Sequence, residues 1–538
     1  MSLDSQRKLF FPFLIILLIA GNLFWATETH RDIALPRENP TVATPPEYPQ
    51  TSISTPFADP LKISETKFPD HSCNISDYGA TAGGKIDNTE SFSKAISDCA
   101  KLGGGKVVVS AGNWLTGPIK LASNINLEIQ EGANVIFSDD PEKYLPPVFS
   151  RFEGIEYYNY SPLIYANNAE NIAITGAGTL NGQGQAWWNF NGVSIGKVYS
   201  MGEKNLPVDQ RIFGTVKDGL RPSFIEFVNC NRIFISGISI LKGPMWTIHP
   251  IYSQNIIIRG INIDTAPGPS TDGVVIDSSN HVLVDNATFA TGDDAIVIKS
   301  GRDNDGRRIN IPSENIVLQN IAVTDAHGAI AIGSEMSGNV KNVLAQNFTV
   351  KNAQYGFRIK SNQQRGGTAE NIWVKNLQIN SLSEAVIEFD TYYERTNTFY
   401  RDFPPTFQNI HIEDVSCRNT KNSITLLGLK ENPSAINHLD LKNIAIIKAR
   451  SGMKISNAQN VNIENLKIIP KYGPIYTIED SQDMTVFDSP CEKSGLTCFY
   501  LTGQNLKNIL LNKNDFNQKE KTPTFDVGTD TTQVRIQD

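Results

Sequence analysis

The feature that most constrains this chain is a repeat of short β-branched runs, each set behind a turn residue that is usually Asn. NIAITGAGTL begins at Asn171, RIFISGISI follows Asn231, NIIIRGINI begins at Asn255, and NIVLQNIAV begins at Asn315. The series continues through NVLAQNFTV at Asn342, NIWVKNLQI at Asn371, NIHIEDVSC at Asn409 and NVNIENLKI at Asn460. With HVLVDNATF after Asn280 and HLDLKNIAI after Asn437 included, successive starts from Asn231 onward lie roughly 23 to 38 residues apart, the period range of solenoids and arrays. Alternating short strands with Asn or Gly at the corners and no helix describe one coil of a parallel β-helix. A leucine-rich repeat is the main competitor, but its leucine spacing is absent and the period varies too much. One coil cannot bury its apolar face alone, so a single all-β cylinder from about residue 73 to 510 is expected. The Asn residues are read as structural, because Asn tolerates the left-handed corner conformation and can stack between coils.

In such a stack, equivalent positions of neighbouring coils lie about 4.8 Å apart, and residues one repeat apart in sequence become neighbours on one face. Four polar clusters follow this rule: STDG with Asp272, TGDD with Asp293 and Asp294, AHG with His327, and FRIK with Arg358 and Lys360. Their steps of roughly 21, 34 and 31 residues are each about one coil. Four consecutive coils would gather three carboxylates, an imidazole, a guanidinium and an ammonium. Adjacent side chains on a strand point to opposite faces, so Asp293 and Asp294 can share a face only where the chain bends, which Gly292 permits. Arg358 and Lys360 alternate around Ile359 and share a face naturally. Clustered aspartates raise one another's pKa, which gives both a proton donor and a base.

Outside the repeat, Arg7 and Lys8 precede the apolar run from Leu9 to Ala26, which reads as an export signal. Phe24 and Ala26 make a poor cleavage site, so a cleaved signal and a retained membrane anchor both stay open. Residues 35–70 are rich in Pro, Thr and Ser and are read as a linker, after an export segment over 1–34 and before the cylinder over 71–538. One helix is expected near Glu90 to Lys101. Cys491 with Cys498, and Cys73 with Cys99, are candidate disulfides. No Cys or His spacing suggests a metal site, and no cofactor is expected. The net charge of −8 implies no basic surface, so nucleic acid is not an expected partner. Nothing in the sequence calls for an oligomer, and a monomer is assumed.

The four clusters resemble the NTD, G/QDD, GHG and RIK signatures of the polygalacturonase family of glycoside hydrolases (family 28 type), in the same order and with comparable spacing. DYGATAGGKIDNTESFSKAI, NWLTGPIKLASNINLEI and MWTIHPIYSQNIIIRGINI also resemble that family. The resemblance implies a right-handed parallel β-helix and inverting hydrolysis of an acidic polysaccharide, pectin or polygalacturonate. Carried over by position, Asp293 would be the general acid, and Asp272 with Asp294 would activate water. His327 would hydrogen-bond near the acid, while Arg358 and Lys360 would hold a galacturonate carboxylate. In IEFDTYYER the tyrosine that completes this site is matched to Tyr393, with Tyr392 as the second choice. Ser270 stands where Asn is usual, Ala326 replaces the first Gly of GHG, and Val275 and Ile276 occupy positions that are often polar or proline.

Pectate lyases share the β-helix and the polymer but eliminate with calcium; a binding module would keep the fold without turnover; and a related rhamnogalacturonan hydrolase would share the catalytic aspartates. The conjunction of DD, HG and RIK favours a hydrolase. A long insertion from about Gln183 to Arg221 could wall off one end of the groove, and GSEMSGNVKN after His327 resembles exo-acting members, so exo cutting is expected. His249 and His281 are read as structural or surface residues, and Trp187 with Trp188 as packing.

Overall fold

The computed structural model describes residues 48–189, 192–394, 402–491, 495–514 and 523–537. The export segment and the first part of the expected linker lie outside these residues. Among the described residues, no helix is long and apolar enough to cross a membrane.

The β-branched runs pair in parallel, coil on coil, in one continuous sheet system, which is the right-handed parallel β-helix expected from the sequence. Three rows of inward residues fill the cylinder. The first runs Ile225, Ile248, Val274, Ile296, Ile330, Phe357, Ile387 and Ile424. Ile233, Ile256, Val282, Ile316, Val343 and Ile372 form the second, and Ile240, Ile263, Phe289, Val323, Val350 and Ile379 the third. All are buried. A buried Ile or Val contributes about 1.5–3 kcal/mol only when another layer covers it, so the end of the stack needs a cap. The helix Thr89–Lys101, close to its expected span, packs Phe92, Ala95, Ile96 and Cys99 on the first coil.

The corner Asn residues behave as expected. Asn255, Asn315, Asn342, Asn371 and Asn409 all have φ between 52° and 57°. Their amides stack: Asn342 donates to Asn315 (3.0 Å), Asn371 to Asn342 (3.0 Å) and Asn409 to Asn371 (2.6 Å).

Two expectations are corrected. Within the segment read as linker, Gln50–Ile53 and Leu61–Ser64 form an antiparallel hairpin. Leu61 and Ile63 pack on an outward apolar stripe of Ile257, Leu283, Val317 and Leu344, which would otherwise face water. Cys491 and Cys498 are bonded, but Cys73 and Cys99 are buried free thiols, Cys99 turning its Sγ toward the carbonyl of Lys106 at 3.8 Å.

The chain between the early coils also builds a structured cover. The strands Val148–Phe152 and Ile155–Asn159 form a second antiparallel hairpin, and Gly192–Glu203 forms a helix. Phe152, Ile155, Tyr157, Val198 and Phe213 from this cover bury Met245, Trp246, Val275, Val297 and Ala331. Val275 is therefore apolar because it lies under the cover, not because a subsite has lost a polar group. Beneath it, Arg151 meets Asp277 at 2.8 Å with both side chains fully buried. His249 sits between Glu226 (3.2 Å) and Asp277 (3.5 Å), which makes it a structural histidine.

The ladder makes a checkable statement about stability. Asn371→Ala removes two stacked hydrogen bonds and places a Cβ-bearing residue without polar compensation at positive φ, so a loss of about 1–3 kcal/mol is expected. Asn371→Gly keeps the backbone conformation and should lose less. Thermal unfolding of both variants at one scan rate checks this, and an unchanged midpoint for the Ala variant would rule it out.

Candidate active site

Each expected site residue sits at the edge of the first row of strands. Asp272 precedes Val274–Asp277, Asp293 and Asp294 precede Ile296–Lys299, and His327 precedes Gly328–Gly333. Arg358 and Lys360 end the strand Val340–Lys360. The register Val274↔Ile296, Ile296↔Ile330 and Ile330↔Phe357 puts these clusters on successive coils.

Glycines make the approach possible. A Cβ on Gly292 would stand 1.9 Å from the carbonyl oxygen of Gly268, and one on Gly328 would stand 2.6 Å from Oδ1 of Asp294. Gly292 is thus needed for the contact between coils, and neither glycine has a positive φ. The bend it allows leaves Asp293 with 34% of its side chain exposed and Asp294 with 1%. The Asp293 carboxylate accepts the N–H of Asp294 (2.9 Å), and its backbone carbonyl accepts from His327 N (3.0 Å), which locks the two coils together. Ala326, in place of a glycine, is buried in the cylinder core, where a methyl group is tolerated.

Asp294 is the electrostatic centre. His327 Nδ1 lies 3.1 Å from its Oδ1 and Lys360 Nζ lies 3.2 Å from its Oδ2; His327 Nδ1 is also 3.6 Å from Asp293. Burial works against the Asp294 anion, but Lys360 and His327 outweigh burial and hold its carboxyl well below the usual range. Asp293 goes the other way: burial and the charge of Asp294 raise it. Asp272, 3% exposed and with Oδ1 lacking a hydrogen-bond partner, is pushed well up by burial and then by Asp293. Asp294 therefore holds the negative charge, while Asp272 and Asp293 are both held toward their protonated forms. Asp293, Asp294 and His327 have ligand atoms within 4.8 Å of one another, but both Asp294 oxygens are already engaged by the cations described above.

Arg358 lies between two aromatic rings, 4.1 Å from the Tyr355 centroid and 5.0 Å from that of Tyr393. Its Nε is 2.6 Å from Glu388 Oε2, an ion pair by distance whose alignment is too poor for a hydrogen bond. Among the described residues, its Nη1 and Nη2 have no hydrogen-bond partner. Lys360 Nζ is 5.3 Å from the Tyr393 ring. Tyr392 points elsewhere, its hydroxyl accepting from the backbone N of Lys430 (3.0 Å).

Three further groups belong to this site. Lys299, buried, pairs with Glu335 at 2.6 Å, lies 5.0 Å from the Trp246 ring and acts electrostatically on Asp272 and Asp294. Its signal was legible: VIKS at 297–300 repeats the RIKS of 358–361 in the same coil position. Tyr355 stacks edge-on to His327, with ring centroids 5.3 Å apart. Arg221, at the end of the insertion, donates to the carbonyls of Pro244 and Pro269 and reaches Ser270 Oγ at 3.3 Å. Ser270 has φ of 54°, so the residue that replaces Asn is held in the conformation Asn would favour.

The insertion also supplies Trp188, whose Nε1 donates to Gly243 O at 3.1 Å, while Trp187 is buried against Tyr144 and Tyr160. Arg221 and Trp188 thereby stand beside the coil that precedes Asp272. On the other side, a cleft of about 540 Å³ opens from His327 past Gln354 and Ser383 to Asn419.

The model of the glycosyl hydrolases family 28 matches residues 99–466. A protein of Vitis vinifera described as a probable polygalacturonase is 30% identical over 398 residues, covering 72% of this chain and 76% of its own length. The exo-poly-alpha-D-galacturonosidase of Dickeya chrysanthemi is 24% identical over 459 residues, covering 74% and 75%. The crystal structure of a hyperthermoactive exopolygalacturonase from Thermotoga maritima superposes with a TM-score of 0.67 at 37% identity, covering 75% of this chain and 89% of that one. With the three aspartates, His327 and the RIK cations assembled on one face of the β-helix, and with more than half of the chain matched, this protein belongs to family 28 of the glycosyl hydrolases.

Proposed function

We propose that the protein hydrolyses α-linked galacturonosyl bonds of polygalacturonate with inversion at the anomeric carbon, removing units from a chain end. The observation that carries the reading is the split among three neighbouring carboxyls: Asp294 is held ionised by Lys360 and His327, while Asp293, the most exposed of the three, is held toward its protonated form. Asp293 donates its proton to the departing glycosidic oxygen. Asp294, with Asp272 beside it, receives the proton of the attacking water. The free Nη donors of Arg358 can meet a planar carboxylate bidentately, and Lys360 adds a point charge. Tyr393 and Tyr355 hold that guanidinium in place.

The exo reading is supported by the wall. Arg221 and Trp188 occupy the side of the site toward the earlier coils, and the cleft runs from Ala266 and Pro267 past His327 and on to Asn419 of the later ones. The names carried by the Thermotoga and Dickeya relatives agree with it. We also read the apolar run from Leu9 to Ala26 as directing the protein out of the cytoplasm, where such a polymer would be met.

Four outcomes test the proposal. Asp293→Asn should lower kcat on polygalacturonate by more than about a hundredfold with an unchanged far-ultraviolet spectrum. Wild-type products should lack the absorbance of unsaturated uronates, and that absorbance, if found, would assign the chain to elimination instead. Early digests should contain monomer or dimer, and a spread of oligomers would reject exo action. Because Asp294 works as an anion and Lys360 holds its pKa down, Lys360→Gln should raise that pKa and move the acidic limb of the kcat–pH profile to higher pH. A limb that stays in place would remove Asp294 from the role of base.

A further inference from the structure

The cleft that starts at His327 continues beyond the coils that carry the site. At Asn419 it meets a second cleft of about 390 Å³, lined by Lys448, Arg450 and Lys471. The register explains the continuity. Asn352, Ser381 and Asn419 stand on successive coils, and Thr420, Ala449 and Pro470 carry the same edge two coils further. Lys448 and Arg450 flank Ala449, are exposed, and have no ion pair among the described residues. Lys471 is exposed too, its Nζ 4.9 Å from the ring of Tyr472, which is 53% exposed. Of the acidic residues nearby, Glu384 is neutralised by Lys421 at 2.8 Å, and Asp325 lies at the His327 end. A local excess of cations on a chain of net charge −8 runs against the average of the surface.

We infer that this edge is a remote binding track for an unesterified stretch of polygalacturonate that extends from the catalytic cleft, held by Lys448 and Arg450, with the Tyr472 ring offering an apolar face to a sugar. The inference rests on the proposed activity and adds where the uncut part of the polymer lies. Its geometry suits a polyuronate: coils repeat every ~4.8 Å, close to the length of one sugar in an extended chain, and each sugar brings one carboxylate. Arg450 is four coils past His327, about 19 Å along the axis, so a trimer seated at the aspartates does not reach it.

The test compares wild type with the double variant Lys448→Gln/Arg450→Gln on polygalacturonate and on trigalacturonate. The expected result is a rise in KM of roughly fivefold on the polymer at unchanged kcat, as two exposed ion pairs would give, with both constants on the trimer unaltered. Polymer KM should also become less sensitive to salt. An unchanged polymer KM overturns the track, and so does an equal loss on the trimer, which would place the effect in the cleft itself. Retardation of Asp293→Asn protein in a native gel containing polygalacturonate separates this inference from the activity. If the wild type cuts neither substrate but retardation still depends on the two cations, hydrolysis fails and the track stands; turnover without any such dependence gives the reverse.

Discussion

Everything in this molecule depends on parallel coils lying in register about 4.8 Å apart. That spacing lets inward isoleucines and valines cover one another, and the same register turns a sequence interval of one repeat into direct contact. Asp272, Asp293 and His327 meet because each stands just before the same strand of its own coil, and Arg358 and Lys360 approach from within that strand on the next coil. Where side chains need more room than the spacing allows, glycine provides it: Gly292 admits the neighbouring backbone and Gly328 admits the Asp294 carboxylate. A framework that repeats so regularly fixes positions to within a side chain's reach without specialised loops.

Most of the cylinder and the central cluster were legible because both obey that repeat. The Asn corners and the order of the four polar clusters follow from counting coils, while the choice of Tyr393 over Tyr392 comes from the family resemblance. What escaped was whatever left the period. The hairpin of Gln50–Ile53 and Leu61–Ser64 has strands of four residues inside Pro-rich text, too short for alternation to stand out. Its docking site left a trace in the sequence all the same, since the unbroken apolar run around Ile257 implies an outward face in need of cover. Arg221 could not be placed, because the path of an insertion is set by tertiary contacts with residues far along the chain. Cys73 and Cys99 show the limit of spacing arguments: they are neighbours in the fold and still free thiols.

The site also shows how one type of side chain is given opposite tasks. Three aspartates within two coils share burial, which raises them all, so the difference comes from where cations stand. Lys360 and His327 make their closest approaches to Asp294, with His327 farther from Asp293 at 3.6 Å. Lys299 is spent largely on Glu335, at 2.6 Å, and its charge reaches Asp272 at longer range. Charge placement, rather than the identity of the acids, separates the group that keeps a proton from the group that has lost it.

The cover built between the early coils rests on charges that are buried from water. Ser150 and Arg151, on its hairpin, donate to Glu226 and Asp277 of the cylinder, and lifting that hairpin would break the buried Arg151–Asp277 pair at a cost of several kcal/mol, leaving His249 as the partner of both carboxylates. Such a wall is masonry rather than a door, and under the proposed action a chain end would enter lengthwise, the bonds within reach being decided by the depth of the recess.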